Sequence, residues 1–236
     1  DTPKLKKERE AAVAAYVADI DTNYLAGKLA AVETVEGTIE AFSNGATIGQ
    51  VAAASCKAEA PETVEAIAAH HWTERYEALR FDTEDYVKKT GKNVEVFLCN
   101  MGPIPQHKAR ADFSTSFLQV GEFNVHLNNG FQDDEGKPGS RYEKCVEALK
   151  AGIDENGTPY DVAVICSTDA TYPEDVPALA PMIKAANPNI TLFLAGAAPK
   201  DLEPVYKEAG VDDFISVKAN CFQTLKMLQK KKGMIE

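Results

Sequence analysis

Residues 100–113 read Asn-Met-Gly-Pro-Ile-Pro-Gln-His-Lys-Ala-Arg-Ala-Asp-Phe and gather the groups best able to do chemistry. His107 carries an imidazole, which can move a proton near neutral pH or ligate a metal. Lys108 and Arg110 stand beside it. Placed in the first turn of a helix, these three groups sit at the end where the macrodipole disfavours cations. Asp112 can pair with Lys108, but an i,i+4 pair is worth only a few tenths of a kcal/mol. On an acidic chain such a basic knot points to an acidic partner or an anion. Asp169, Glu174 and Asp175 are the intrachain candidates.

Other arrangements fall away on chemical grounds. Asp169 and Lys218 stand near the places of a phosphoryl-accepting Asp and its Lys, yet such a site needs acids after the first strand to hold magnesium. Asn100-Met101-Gly102 supplies none. There is neither a G-x-G-x-x-G nor a G-x-x-x-x-G-K-[ST] signature. No Ser-His-Asp or Cys-His triad can be set by spacing alone, since triads assemble in space. His70 and His71 are adjacent and point to different sides, with no third ligand at zinc-like spacing, so they read as cap or surface groups. The five cysteines (Cys56, Cys99, Cys145, Cys166, Cys221) form no C-x-x-C pair. Reduced, partly buried cytosolic thiols are the plain reading. No metal site is expected.

The elements that must position these groups follow a regular alternation. Strand-like apolar runs fall at 94–99, 123–127, 161–166, 190–195 and 213–217. Helical patterns lie between and after them, at roughly 105–119, 140–152, 173–186, 200–209 and 219–231. Strands alternating with helices of this length imply a parallel sheet covered on both faces. The expected class is α/β, flavodoxin-like, with strand order 2-1-3-4-5 and a crevice at the carboxyl edge between the first and third strands. Gly102, Pro103 and Pro105 end the first strand and open the helix, placing His107 on a tight loop there. Ala109, Phe113 and Phe117 recur every four residues and predict one apolar stripe on that helix. The polar stretch 130–140 reads as a solvated loop.

Residues 1–91 read as a helical segment that precedes the α/β domain at 92–236. A helix is predicted over 1–19, with an apolar face mostly of alanine and too slight to fold alone. Two short helices follow within 22–55, one capped by Thr34 and ended by Asn44-Gly45, the other started by Thr47. A last helix runs over 82–89 and closes at Thr90-Gly91.

The 236 residues have a formal net charge of −11, with 44% hydrophobic and 26% charged side chains. The charge argues against a nucleic-acid surface. No apolar run reaches the length of a membrane span, and the expected location is the cytoplasm. A start at Asp1 without a leader-like segment suggests a processed or truncated chain.

Several motifs carry a resemblance. They are Gly102-Pro103, Gln106 through Phe113, Cys166-Ser167-Thr168-Asp169 with Tyr172-Pro173, and Ala209 through Ile215. In these, residues 92–231 resemble the cobalamin-binding-type domain of the methylmalonyl-CoA mutase family, nearest its small, non-catalytic subunit. A softer match, Gly37 through Ile48, is similar to the helical connector after the family's barrel, and Tyr76 to Phe81 to the arm into its last domain.

The resemblance implies a D-x-H-x-x-G motif after the first strand, S-x-L after the third and a glycine pair after the fourth. The family's Asp fixes the tautomer of the cobalt-binding histidine, and its Gly leaves space for the cofactor's nucleotide tail. Aligned on His107, this chain has Pro105 for that Asp and Arg110 for that Gly. Ser167 and Gly196 are kept, while Asp169 replaces the Leu and Ala197 the second Gly. The expectation is therefore a degenerate pocket at His107, Ser167 and Gly196, with no catalytic residue and no cobalamin bound by this chain. The resemblance further implies a heterodimer with a large subunit that holds adenosylcobalamin and interconverts (R)-methylmalonyl-CoA and succinyl-CoA. Lys108 and Arg110 are the candidate partner contacts. The alternative is a genuine cobalamin module using His107 as cobalt ligand.

Overall fold

The computed structural model describes residues 2–56 and 64–236. The chain divides into two compact units, Asp1–Ala68 and Ala69–Glu236.

In the first unit, helices form where capping side chains meet short apolar runs. They are α1 (Thr2–Ala18), α2 (Thr22–Leu29), α3 (Val35–Ser43) and α4 (Ile48–Ser55). Asp21 caps α2 by accepting from the amides of Asn23 and Tyr24. Thr34 accepts from the Gly37 amide at the start of α3. Thr47 and Gln50 form a reciprocal capping box on α4, which satisfies two otherwise orphaned donors. Residues 22–55 thus hold three helices where two were expected, because Asp21 caps an additional one. Gly37 is buried, and a Cβ there would strike the Ala31 carbonyl. The core of this unit is small: Leu25, Val32, Ala41 and Ala46, flanked by Ile20, Leu29 and Val51.

The second unit is the expected α/β fold. It runs α5 (Glu74–Thr90), β1 (Glu95–Asn100), α6 (Ile104–Gln119), β2 (Asn124–His126), α7 (Ser140–Ala151), β3 (Val162–Cys166), α8 (Tyr172–Ala186), β4 (Thr191–Ala195), α9 (Glu203–Ala209), β5 (Asp213–Ile215) and α10 (Cys221–Lys232). All strand pairs are parallel, in the order β2-β1-β3-β4-β5. The three central strands are buried along their whole length, as a sheet covered on both faces demands.

Two apolar cores lie on opposite faces. One packs α7, α8 and α9 over Phe97, Cys99, Ala163, Ile165 and Leu194. The other packs α5, α6 and α10 over Val96, Leu98, Val164, Cys166 and Phe193. Among the described residues no helix is long and apolar enough to cross a membrane.

Two details bear on the site. Helix α5 runs unbroken from Glu74, not only over 82–89, and belongs to the compact α/β unit. Gln229, fully buried on α10, donates to the Leu79 carbonyl at 2.6 Å and to Thr83 Oγ1 at 2.9 Å. Thr83 donates in turn to the Gly121 carbonyl. Helix α8 survives Pro177 and Pro181 because both, like Pro173, face solvent. The missing N–H groups therefore fall on the wet side of the helix.

Candidate functional site

Strand β1 ends at Asn100, and the chain turns through Gly102 at φ 79° into α6. Helix α6 begins at Ile104, so His107 lies in its first turn and not on the preceding loop. The helix buries His107, Ala111, Ser114, Phe117 and Leu118. The predicted Ala109-Phe113-Phe117 stripe is therefore not the packed face; Ala109 and Phe113 are exposed. The true face recurs at spacings of four, three and four from His107 to Leu118, which places it on the sheet. The polar His107 and Ser114 masked it in the sequence.

His107 is only 3% exposed. Its Nδ1 lies 3.1 Å from the Gly102 carbonyl, which can only accept, so Nδ1 carries the proton. The ring edge rests on Gly130, whose backbone has φ 87°; a Cβ there would collide with the imidazole. Gly130 belongs to the loop after β2, which is fastened to β1. Phe131 exchanges backbone hydrogen bonds with Asn100 and Gly102, and Asn128 donates to the Leu98 carbonyl at 2.7 Å.

The stretch 130–140 is a solvated surface loop, as expected, with no buried residue, and it is also tethered. Asp133 accepts from the Arg141 amide and guanidinium, and Lys144 reaches Asp134 and the Gln132 carbonyl. The lysine hydrogen bond holds the Asp134 carboxyl below the usual range.

Across the crevice, Gln106 covers Gly102 and donates to Ser167 Oγ at 2.9 Å. Thr171 Oγ1 donates to the same oxygen at 2.8 Å, and Ser167 is fully buried. Behind it, the Tyr172 hydroxyl accepts from the Ser167 amide and donates to the Ala195 carbonyl at 2.6 Å, joining the ends of β3 and β4. Burial pushes the Tyr172 hydroxyl and the neighbouring Cys166 thiol well up, so neither ionises near neutral pH.

Gly196, at φ 128°, a backbone conformation that strains other residues, lies against the Arg110 guanidinium. Arg110 donates to Asp169 at 2.9 Å. Beside this pair a shallow cleft of about 380 Å³ is lined by Ala109, Phe113, Ala197, Ser216 and Val217.

The predicted site residues thus meet at one edge in different roles. Ser167 and Gly196 are covered, by Gln106 and Arg110 respectively. The basic knot separates: His107 is buried, Lys108 pairs with Asp112 at 2.9 Å and Arg110 with Asp169. Glu174 and Asp175 bind Arg141 and not Arg110. His70 and His71 lie ahead of α5, with His71 3.8 Å from Glu77. Among the described residues no three metal-binding side chains cluster. Sequence reasoning gave no role to Gln106, Gly130, Tyr172 or Arg141. The only signal for Gln106 and Tyr172 was their presence inside the quoted motifs.

No family model matches the chain. It is 30% identical over 159 residues, 67% of its length, to the methylmalonyl-CoA mutase small subunit of Porphyromonas gingivalis, of which it covers 22%. It is also 30% identical over 123 residues, 52% of its length, to the methylmalonyl-CoA mutase small subunit of Streptomyces virginiae, of which it covers 18%. The resemblance read from the motifs therefore stands, and two thirds of this chain is homologous to such subunits. The chain spans about a fifth of the length of these relatives.

Proposed function

We propose that this chain is a portion of a methylmalonyl-CoA mutase small subunit, acting in the cytoplasm as a non-catalytic support for a large subunit. On this reading the large subunit holds adenosylcobalamin and isomerises (R)-methylmalonyl-CoA and succinyl-CoA, while this chain binds no cobalamin. The likeness to named small subunits supports the assignment to a mutase assembly.

The observation that carries the cofactor claim is that protein groups cover the predicted pocket residues His107, Ser167 and Gly196. A buried histidine, a glutamine bridge from α6 to Ser167, and a guanidinium on Gly196 occupy the tail's path. A nucleotide tail lying along Ser167 and Gly196 would have to displace Gln106 and the Arg110 guanidinium, which supports the reading without cobalamin. The residues present therefore do not fit the group, and no chemical step is assigned to it.

One observation favours the second reading, a working cobalamin module. The Gly102 carbonyl replaces the missing carboxylate as acceptor for Nδ1–H, and that tautomer leaves Nε2 with the lone pair a metal would need. Against it stands the burial of the ring.

Co-purification tests the supporting role. A tagged form of this chain should retain the large subunit. Arg110→Glu should weaken retention several-fold, and most at low ionic strength, where its repulsion from an acidic partner is least screened. A chain that retains no large subunit at any salt concentration contradicts the proposal.

A further inference from the structure

The amino edge of the sheet, opposite the His107 crevice, holds a cavity of about 250 Å³. It opens where β1, β3 and β4 begin, with Val94, Pro159, Tyr160 and Leu228 as apolar walls. Ligand sites generally start at about 300 Å³, so its occupant is a small molecule.

Most polar groups at this cavity are already committed. Lys232 donates to both carboxylate oxygens of Asp161, at 2.8 and 2.7 Å. Asp161 Oδ2 also accepts from the Glu95 amide, and the Thr191 amide donates to the Asp161 carbonyl. Asn187 donates to the Tyr160 carbonyl and accepts from the Asn189 amide. Lys231 and Thr191 differ. Lys231 Nζ reaches Thr191 Oγ1 at 3.1 Å, and among the described residues it has no carboxylate partner. Thr191 is 3% exposed. Its hydroxyl accepts from the lysine, and among the described residues nothing takes its hydrogen. A lysine in the last turn of α10 suits the helix dipole. The dipole does not explain why this one is turned onto a neutral hydroxyl at the start of β4.

A buried hydroxyl with a hydrogen to give, beside an unneutralised ammonium, offers two donors to one acceptor. An anionic oxygen suits both. The charge sets its class. Asp161 neutralises Lys232, so Lys231 is left unmatched among the lining residues. One carboxylate balances it. A phosphate dianion would call for further cations or a nest of backbone N–H groups, and the amides of Glu95, Thr191 and Asn189 are taken.

We propose that the amino-edge cavity binds a small organic carboxylate, with its acid group on Lys231 Nζ and Thr191 Oγ1 and its body against Val94, Tyr160 and Leu228. The site is separate from the carboxyl-edge crevice, and the inference does not depend on the mutase assignment.

Amide chemical shifts of the isotope-labelled full chain, titrated with acetate, butyrate and benzoate, test it. Saturable shifts should centre on Thr191, Lys231 and Asn187, and butyrate or benzoate should bind more tightly than acetate because the apolar walls take the body. Benzamide, which keeps the ring without the charge, should bind about tenfold more weakly than benzoate. Thr191→Val and Lys231→Met should each cut affinity by about tenfold. Thr191→Ser, which keeps the hydroxyl, and Lys230→Met, next along the helix, should leave it nearly unchanged. Lys231 is exposed, so Lys231→Met keeps the test decisive even where Thr191→Val unfolds the chain. The absence of a saturable shift with all three acids overturns the inference, as do shifts that persist through both Thr191→Val and Lys231→Met. Inorganic phosphate that saturates the same amides more tightly than every carboxylate would overturn the ligand class.

Discussion

Arg141 shows how a single side chain fixes the loop that closes the crevice. Its guanidinium meets Asp133 at 2.7 Å, Glu174 at 3.1 Å and the buried Asp175 at 3.0 Å. The Tyr142 hydroxyl accepts from Arg141 and donates to Asp175 at 2.9 Å. Asp175 is 1% exposed, so Arg141→Met strands a buried carboxylate. Breaking such a pair costs roughly 3–5 kcal/mol, and denaturant unfolding should register a loss of that size. Tyr142 adds a pH signature. Burial first, then the hydrogen bond to Asp175, pushes its hydroxyl from 10 up to about 12. The folded state thus holds this proton more tightly than the unfolded chain. The associated stability is complete below pH 10 and fades as the pH rises through 12. Tyr142→Phe should flatten that part of the stability profile, which urea midpoints between pH 9 and 12 would show. Identical profiles for the two proteins would contradict it. Gly130 gives a steric counterpart. Gly130→Ala combines a left-handed backbone with a collision on the His107 ring. The expected loss is about 2–4 kcal/mol by thermal or urea unfolding.

Among the elements, α5 illustrates what a sequence conceals. Its core-facing side chains are few, Leu79 and Thr83, so periodicity marked only its second half. Its attachment runs through Gln229, 146 residues beyond Thr83, and no local pattern reports a polar bridge across that separation. A chain begun at Lys92 would lose this bridge and uncover the α6–α10 face. It should therefore unfold at clearly lower denaturant than one begun at Ala69, and equal midpoints would refute the role given to α5. The sheet was legible because its central strands read as apolar runs and because α6, α7, α8 and α10 run 12 to 16 residues. Helix α6 was located correctly but its facing was misjudged, since an imidazole and a hydroxyl take core positions that aliphatic residues usually fill.

For the molecule as a whole, the sequence disclosed the candidate site as a set of replacements: Pro105, Arg110, Asp169 and Ala197 at positions where the family has other residues. It could not disclose what fills the space they leave. That depends on the reach of Gln106 to Ser167, 61 residues away, and on Gly130 coming from a different crossover to seat the His107 ring. The central claim is that protein, not cofactor, occupies this edge. Visible absorption of hydroxocobalamin titrated with the purified chain tests it most directly. The account predicts an unchanged spectrum up to concentrations of chain well above those of the corrinoid. A saturable spectral shift that disappears in His107→Ala would contradict it.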